Sequence, residues 1–278
     1  MTSRRYPPYF PEDAMRKYRQ LRTVYGERDS DIYISSYTRS GTTWTQMILY
    51  QLTTDGDMDF EHIFDVSPWL YYSALRDLEP ARPPEPRILK THDHYDFFDK
   101  NTPGRFIYVV RDGKDVLWSF YHHRLNVKGY TGSFDDHFEE FLEDTDYQWF
   151  HHVRDWFENR NDLPILFVTY ESLLDAFEDT IGRIVDFCGI PVNEAILQRT
   201  RERTTFPFLK QHAAQLGPRP EHFKGEQQGK YQVKDQSEFI RKGVAGEGKD
   251  QLTPRQRARF AEKFDATLGH IEALRHYR

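Results

Sequence analysis

Three short segments of this 278-residue chain carry residue types that do chemistry on anions. The first, Ser36-Tyr37-Thr38-Arg39-Ser40-Gly41-Thr42-Thr43-Trp44, joins an apolar strand-like run to a helical pattern. Backbone N–H groups left free at a helix N-terminus, together with the positive end of the helix dipole, make a natural phosphate site. Arg39 adds a fixed positive charge, and Thr42 and Thr43 add hydroxyl donors. A nucleoside-triphosphate loop needs two glycines and a Gly-Lys pair followed by Ser or Thr, which this segment lacks, so an ATP or GTP enzyme is disfavoured. Read without its neighbours, the same turn would also serve simply to cap a helix, with Trp44 in the core.

The second segment, Arg111-Asp112-Gly113-Lys114-Asp115-Val116-Leu117-Trp118-Ser119, again lies where an apolar run ends and a helical one begins. Arg111 can grip a phosphate with a charged fork and Ser119 with its hydroxyl; alone, the segment also fits a solvated charged surface. The third, Lys90-Thr91-His92, ends another apolar run and brings together an imidazole, the usual general base near neutral pH, and an ammonium that can neutralise a developing anion. With 12 histidines in the chain, the position of His92 beside a phosphate turn is what singles it out.

These segments need a scaffold that sets strand ends side by side. Residues 31–35, 87–91, 105–110 and 165–170 read as strands, and 42–53, 114–123, 135–143, 147–158 and 176–188 as helices. That alternation predicts an α/β fold with a mostly parallel central sheet flanked by helices, and ligands bind such sheets outside the carboxyl ends of the strands. Residues 204–250 read as an irregular segment, after which Thr253-Pro254-Arg255-Gln256 supplies a capping box with proline at the first helical position. No repeat or linker interrupts the pattern, so a single domain over residues 1–278 is expected, with its core at 31–268 and an extension at 1–30.

Composition bounds the partners. Lys+Arg 38 against Asp+Glu 44 gives a net charge of −6, without the basic excess that nucleic-acid binding requires, so a polyanionic ligand has to be held by a local cluster. The single cysteine, Cys188, forms no intrachain disulfide and reads as a buried helical thiol in a reducing compartment. The longest aliphatic and aromatic run, 106–110, is too short to cross a bilayer, and the N-terminus has no apolar signal core. A cytoplasmic protein without stable membrane insertion is expected. No His, Cys and Asp cluster has metal-ligand spacing, and the pairs His122-His123 and His151-His152 read as surface or structural residues.

Together the three segments resemble the PAPS-dependent cytosolic sulfotransferase family, whose members move a sulfuryl group from 3′-phosphoadenosine 5′-phosphosulfate (PAPS) to an alcohol, phenol or amine and release 3′,5′-diphosphoadenosine (PAP). The resemblance runs from about residue 31 to about residue 268. It implies that residues 37–44 hold the 5′-phosphosulfate, with Arg39, Ser40, Gly41, Thr42 and Thr43 in the loop, and that Lys90-Thr91-His92 supplies His92 as catalytic base. It further implies that Arg111 and Ser119 bind the 3′-phosphate, that Arg241-Lys242-Gly243 closes over it, and that Trp44, Tyr170, Thr204 and Phe206 contact adenine.

Three departures stand out. Arg39 replaces the family's loop lysine, which keeps charge stabilisation but not ready proton donation. Gly246-Glu247-Gly248-Lys249 replaces Gly-Asp-Trp-Lys, removing an aromatic brace and implying a looser closing loop. The dimer motif survives only as Lys249, Thr253, Pro254 and Ala258, so the usual dimer is not expected.

For the acceptor, Trp69, Tyr71, Tyr72, Tyr95, Phe97, Phe98, Tyr121 and Tyr130 lie near the catalytic segments in sequence, and aromatic walls suit a small hydrophobic hydroxyl compound. About half of them are expected in the core. The stretch Trp149-Phe150-His151-His152-Val153-Arg154-Asp155-Trp156 resembles soluble bacterial relatives labelled glycolipid sulfotransferases, which adds a lipid-like acceptor. The competing readings are a nucleotide-dependent phosphotransferase, opposed by the missing Gly-Lys pair, and a nucleotide-binding module without turnover, opposed by His92.

Overall fold

The computed structural model describes residues 12–127, 129–143, 148–218 and 236–278. Four strands, β1 (Ile32–Ser36), β2 (Ile88–Thr91), β3 (Arg105–Val110) and β4 (Ile165–Thr169), pair in the order β2-β1-β3-β4, every pair parallel. Their near-continuous β-branched and aromatic runs are what a sheet covered on both faces requires. The register sets Ser35 opposite both Thr91 and Tyr108, so the turns leaving β1, β2 and β3 open on one edge. β1 connects onward to β2 on one side while β3 lies on its other side, which makes the carboxyl ends of β1 and β3 the switch point where such sheets bind ligands.

Alternation of side chains along the strands divides the interior into two layers. Tyr33, Phe106 and Tyr108 face an aromatic layer, whereas Ile34, Ile107 and Val109 face an aliphatic one. The longer helices are α1 (Glu12–Tyr25), α2 (Thr42–Thr53), α3 (Gly113–Val127), α4 (Phe134–Leu142), α5 (Trp149–Glu158), α6 (Phe177–Cys188), α7 (Glu194–Arg203) and α8 (Pro254–Leu268). α5 and α8 fill the aromatic layer with Trp149, Phe150, Trp156, Phe260 and Phe264, and α2 and α6 fill the aliphatic layer with Met47, Ile48, Ile181 and Ile184. The result is one α/β domain.

The expected strands and helices are present, with differences at their ends. Tyr170 opens a short helix, Tyr170–Asp175, because the Thr169 hydroxyl accepts from the Ser172 N–H and caps it. Residues 204–250 hold more structure than their composition suggests: Phe206–Gln211, Ala213–Leu216 and Glu247–Gln251 are helical. α1, within the expected extension, and α7 have no counterpart in the sequence reading. Cys188 is half-buried rather than buried, and its burial pushes the thiol up to about 12. His152 is a core residue, 2.8 Å from the Tyr108 hydroxyl through Nδ1. The expectations for residues 1–11, Tyr147 and 219–235 lie outside the described residues.

Candidate active site

The turn after β1 is shaped by two left-handed residues. Arg39 (φ 66°) and Gly41 (φ 104°) reverse the backbone so that the chain enters α2 directly. A Cβ on Gly41 would stand 2.8 Å from Tyr170 Cδ2, so this close approach admits glycine alone. The Ser36 and Thr42 hydroxyls join across the turn at 2.6 Å. Ser40 Oγ and Trp44 Nε1 are buried with no hydrogen-bond partner among the described residues, and the Trp44 ring meets Tyr170 edge-on at 5.5 Å.

Arg39 reaches across the switch point. Its Nε donates to Ser119 Oγ (3.1 Å) and one Nη to the Phe239 carbonyl (3.0 Å). Arg111, at the end of β3, donates to the Arg39 carbonyl (3.3 Å) and the Val244 carbonyl (2.8 Å), and its guanidinium lies 4.2 Å over the Tyr170 ring. Its Nε is buried and without a partner among the described residues. Burial first, then the neighbouring charges of Arg111 and Arg241, pull the Arg39 pKa down to about 10.

The closing loop is fixed by contacts absent from the sequence reading. Asp115, in the first turn of α3, accepts from the backbone N–H of Gly246 (2.8 Å) and Gly248 (2.7 Å). A Cβ on Gly248 would stand 2.0 Å from the Lys114 carbonyl oxygen. The missing aromatic brace therefore corresponds to a loop whose backbone lies directly against the helix, not to a looser one. Glu247 pairs with both Arg241 and Lys242, and Arg241's hydrogen bonds hold its carboxyl down at about 2. Gly243 packs on the Phe206 ring, where a Cβ would come within 2.5 Å.

At the end of β2, Lys90 and His92 stand on the other flank of β1. The Lys90 ammonium lies 4.6 Å over the Trp69 ring, and burial, then Arg39, lower its pKa to about 7. His92 Nδ1 is 2.7 Å from the Ser36 carbonyl. A carbonyl only accepts, so Nδ1 carries the proton and Nε2 is the basic nitrogen. Trp69 meets the imidazole edge-on at 5.2 Å.

One cavity of about 1140 Å³ joins these parts. Every residue that the sequence offers for catalysis or nucleotide binding borders it except Ser40, which is buried beneath the loop. Of the eight aromatic candidates for the acceptor wall, Trp69, Tyr71, Tyr72 and Tyr130 line it, Tyr95, Phe97 and Phe98 are core, and Tyr121 packs against Trp118 and Phe134 outside it. Phe120 and Phe141 also line it and were not anticipated, nor were the loop anchor Asp115 and the ion partner Glu247. Nothing in their sequence neighbourhood distinguishes them. Among the described residues no group of three or more His, Cys, Asp or Glu side chains is placed to hold a metal ion, and no helix is long and apolar enough to cross a membrane.

A parallel sheet with two cationic turns at its switch point and an imidazole beside them defines a group-transfer enzyme for phosphorylated ligands. Residues 29–272 match the family model of the sulfotransferase domain, and the chain belongs to that family. It is 30% identical over 253 residues to human sulfotransferase 1C2, covering 84% of this chain and 82% of the relative. It is likewise 30% identical over 251 residues to the amine sulfotransferase of Oryctolagus cuniculus, covering 87% and 81%. The fold is shared with mouse sulfotransferase SULT7A1 complexed with PAP (TM-score 0.72, 24% identity, covering 96% of this chain and 94% of that one). It is shared too with retinol dehydratase in complex with androsterone and PAP (TM-score 0.73, 22% identity, covering 94% and 87%).

Proposed function

We propose that this sulfotransferase uses PAPS as donor and the hydroxyl of a small hydrophobic or lipid-like molecule as acceptor. The observation that carries the reading is the convergence of Arg39, Arg111 and Arg241 on one end of the cavity whose other end presents His92 and an aromatic wall. Buried Arg111 Nε and Trp44 Nε1, polar and without partners among the described residues, fit a ligand bearing phosphates and a base. In this reading Arg111, Ser119, Arg241, Lys242 and Gly243 hold the 3′-phosphate, residues 38–43 hold the 5′ end, and Trp44, Tyr170, Thr204 and Phe206 enclose adenine. The retinol dehydratase complexes with androsterone and with retinol support a hydrophobic acceptor against Trp69 and Tyr72.

PAPS supplies the sulfuryl group, which passes to the acceptor oxygen as its bond to the 5′-phosphate oxygen breaks. His92 Nε2 takes the acceptor proton, oriented by the Nδ1–H bond to Ser36. The loop N–H groups, and Arg39 once it turns from Ser119 and the Phe239 carbonyl, stabilise the charge left on the departing oxygen. Lys90, with its pKa near 7, gives up a proton more readily than Arg39, at about 10. Lys90 therefore takes the proton-donating role that the arginine-for-lysine exchange removes from the loop.

Calorimetry with PAP and AMP at one fixed salt concentration, followed by a turnover scan of alcohols, phenols and lipid extracts with labelled PAPS, tests the reading. PAP is expected to bind tighter than AMP by about two decades or more, since several charge-assisted hydrogen bonds are lost with the 3′-phosphate. Equal affinities would overturn it.

A further inference from the structure

The acceptor half of the cavity contains a polar cluster that sulfuryl transfer does not use. Arg124 on α3 donates through Nη1 to His137 Nδ1 (2.7 Å) and to the Glu140 carboxylate, both on α4. His137 Nε2 lies 3.2 Å from the Leu117 carbonyl, so that nitrogen carries the proton and Nδ1 is left to accept. Burial, then Arg124, lower the His137 pKa to about 4, consistent with a neutral ring. Tyr130 donates to the second Glu140 oxygen at 3.3 Å, and its ring centre is 3.7 Å from the Arg124 guanidinium carbon. All four side chains border the cavity. Nε and Nη2 of Arg124 have no protein acceptor among the described residues.

Helix geometry gives the spacing. Ser119 borders the nucleotide end, and Arg124 stands five residues further along α3, about 7.5 Å along the axis. The cluster therefore lies along α3 beyond the nucleotide end, bordering the part of the cavity that the acceptor would fill. The chemistry of the cluster selects what belongs there. A purely alkyl end would desolvate the unspent Arg124 donors, and a carboxylate would face Glu140. A neutral amide or hydroxyl can accept from Arg124 and donate to Glu140 at once.

Building on the sulfotransferase reading above, we propose that Arg124 and Glu140 are specificity-determining residues. They select acceptors that carry a neutral polar group at the end remote from the hydroxyl that receives the sulfuryl group. Rigid probes that place the group at the end remote from the hydroxyl are 4′-hydroxybiphenyl-4-carboxamide and 4′-hydroxybiphenyl-4-carboxylate, with 4-phenylphenol as the apolar reference, titrated into the PAP-saturated enzyme. The carboxamide is expected to bind about tenfold tighter than 4-phenylphenol, with the carboxylate weaker than the carboxamide. Arg124→Met should bring the carboxamide to 4-phenylphenol ratio close to one, and Glu140→Gln should raise carboxylate affinity relative to carboxamide. PAP affinity of each variant reports folding independently. Equal binding of carboxamide and 4-phenylphenol, failure of the carboxamide to bind, or a preference that survives Arg124→Met overturns the proposal. Failure of the wild type to bind PAP overturns the donor assignment instead.

Discussion

The two ends of the cavity are built in different ways. At the nucleotide end the chain uses its own backbone: two strand-to-helix turns at neighbouring strand ends aim N–H groups and short side chains into one place. Each of the three arginines there has a protein acceptor, namely the Phe239 carbonyl, the Val244 carbonyl and the Glu247 carboxylate. At the acceptor end there is no such local geometry. Trp69 and Tyr72, Phe120 and Arg124, and Glu140 come from three separate helices and meet only through tertiary packing. Phosphate has one shape, which a short segment can match; an acceptor is matched by a wall assembled across the fold.

If the two ends are separable, mutations at each should divide donor binding from transfer. The largest effect belongs to His92→Ala, expected to lower kcat by about 10² to 10⁴-fold through loss of the general base. PAP affinity, read by calorimetry, should stay near the wild-type value. Normal turnover in this variant would remove His92 from the mechanism and blur the division.

Next in size is Arg111→Ala, which acts only at the nucleotide end. It should erase most of the roughly hundredfold preference for PAP over AMP. Arg39→Ala, by contrast, should weaken both nucleotides, because both share the 5′ phosphate. Titrating PAP and AMP into each variant checks the pattern, and a PAP preference that persists in Arg111→Ala would place the 3′-phosphate elsewhere. Because Arg111 also anchors the Val244 carbonyl, thermal unfolding should accompany the titrations.

The same contrast explains what was legible in the sequence. Residues 36–44 and 111–119 could be read because strand, turn and helix are contiguous and each carries its own chemistry. The layout of the sheet followed from runs such as 105–110, whose β-branched and aromatic residues fit a doubly covered strand. The Asp115 anchor was not legible, since its partners Gly246 and Gly248 lie more than a hundred residues away and offer only backbone N–H groups. The absence of a side chain at Gly248 read as a lost contact, whereas it is the condition for backbone contact with Lys114. The acceptor wall was half legible: aromatic type suggested it, but only packing separates Tyr72 at the cavity from Phe98 in the core.

Lys90 sits where the two ends meet and sharpens the comparison through pH. Its lowered pKa, about 7, means it is protonated below that pH and neutral above it. As proton donor to the departing oxygen, it should make kcat/KM, which reports the free enzyme, fall about tenfold per pH unit on the alkaline side. Lys90→Arg keeps the charge but cannot donate at these pH values, so it should flatten that limb while lowering the plateau. Profiles of kcat/KM for PAPS from about pH 6 to about pH 9 decide the point. A wild-type profile that stays level above pH 7 would confine Lys90 to charge stabilisation.

The smallest effect comes from α1, which the sequence reading left as an extension. Tyr18 stacks on Phe97 at 4.9 Å, meets Tyr71 edge-on at 5.5 Å and donates its hydroxyl to Asp93 at 2.6 Å. Asp93 follows His92 directly, is also held by the Thr91 hydroxyl (2.5 Å), and has its pKa raised by burial. The hydroxyl of Tyr18 thus holds the residue that follows His92, the proposed base, from outside the sheet. Tyr18→Phe keeps both ring contacts and removes one hydrogen bond of about 0.5 to 1.5 kcal/mol, with Thr91 still in place. The expected outcome is a kcat lowered about three- to tenfold with PAP affinity unchanged, because no nucleotide contact depends on α1. If Tyr18→Phe instead weakened PAP and left kcat intact, the two ends of the cavity would be mechanically coupled through α1, and their separation would fail at its outermost support.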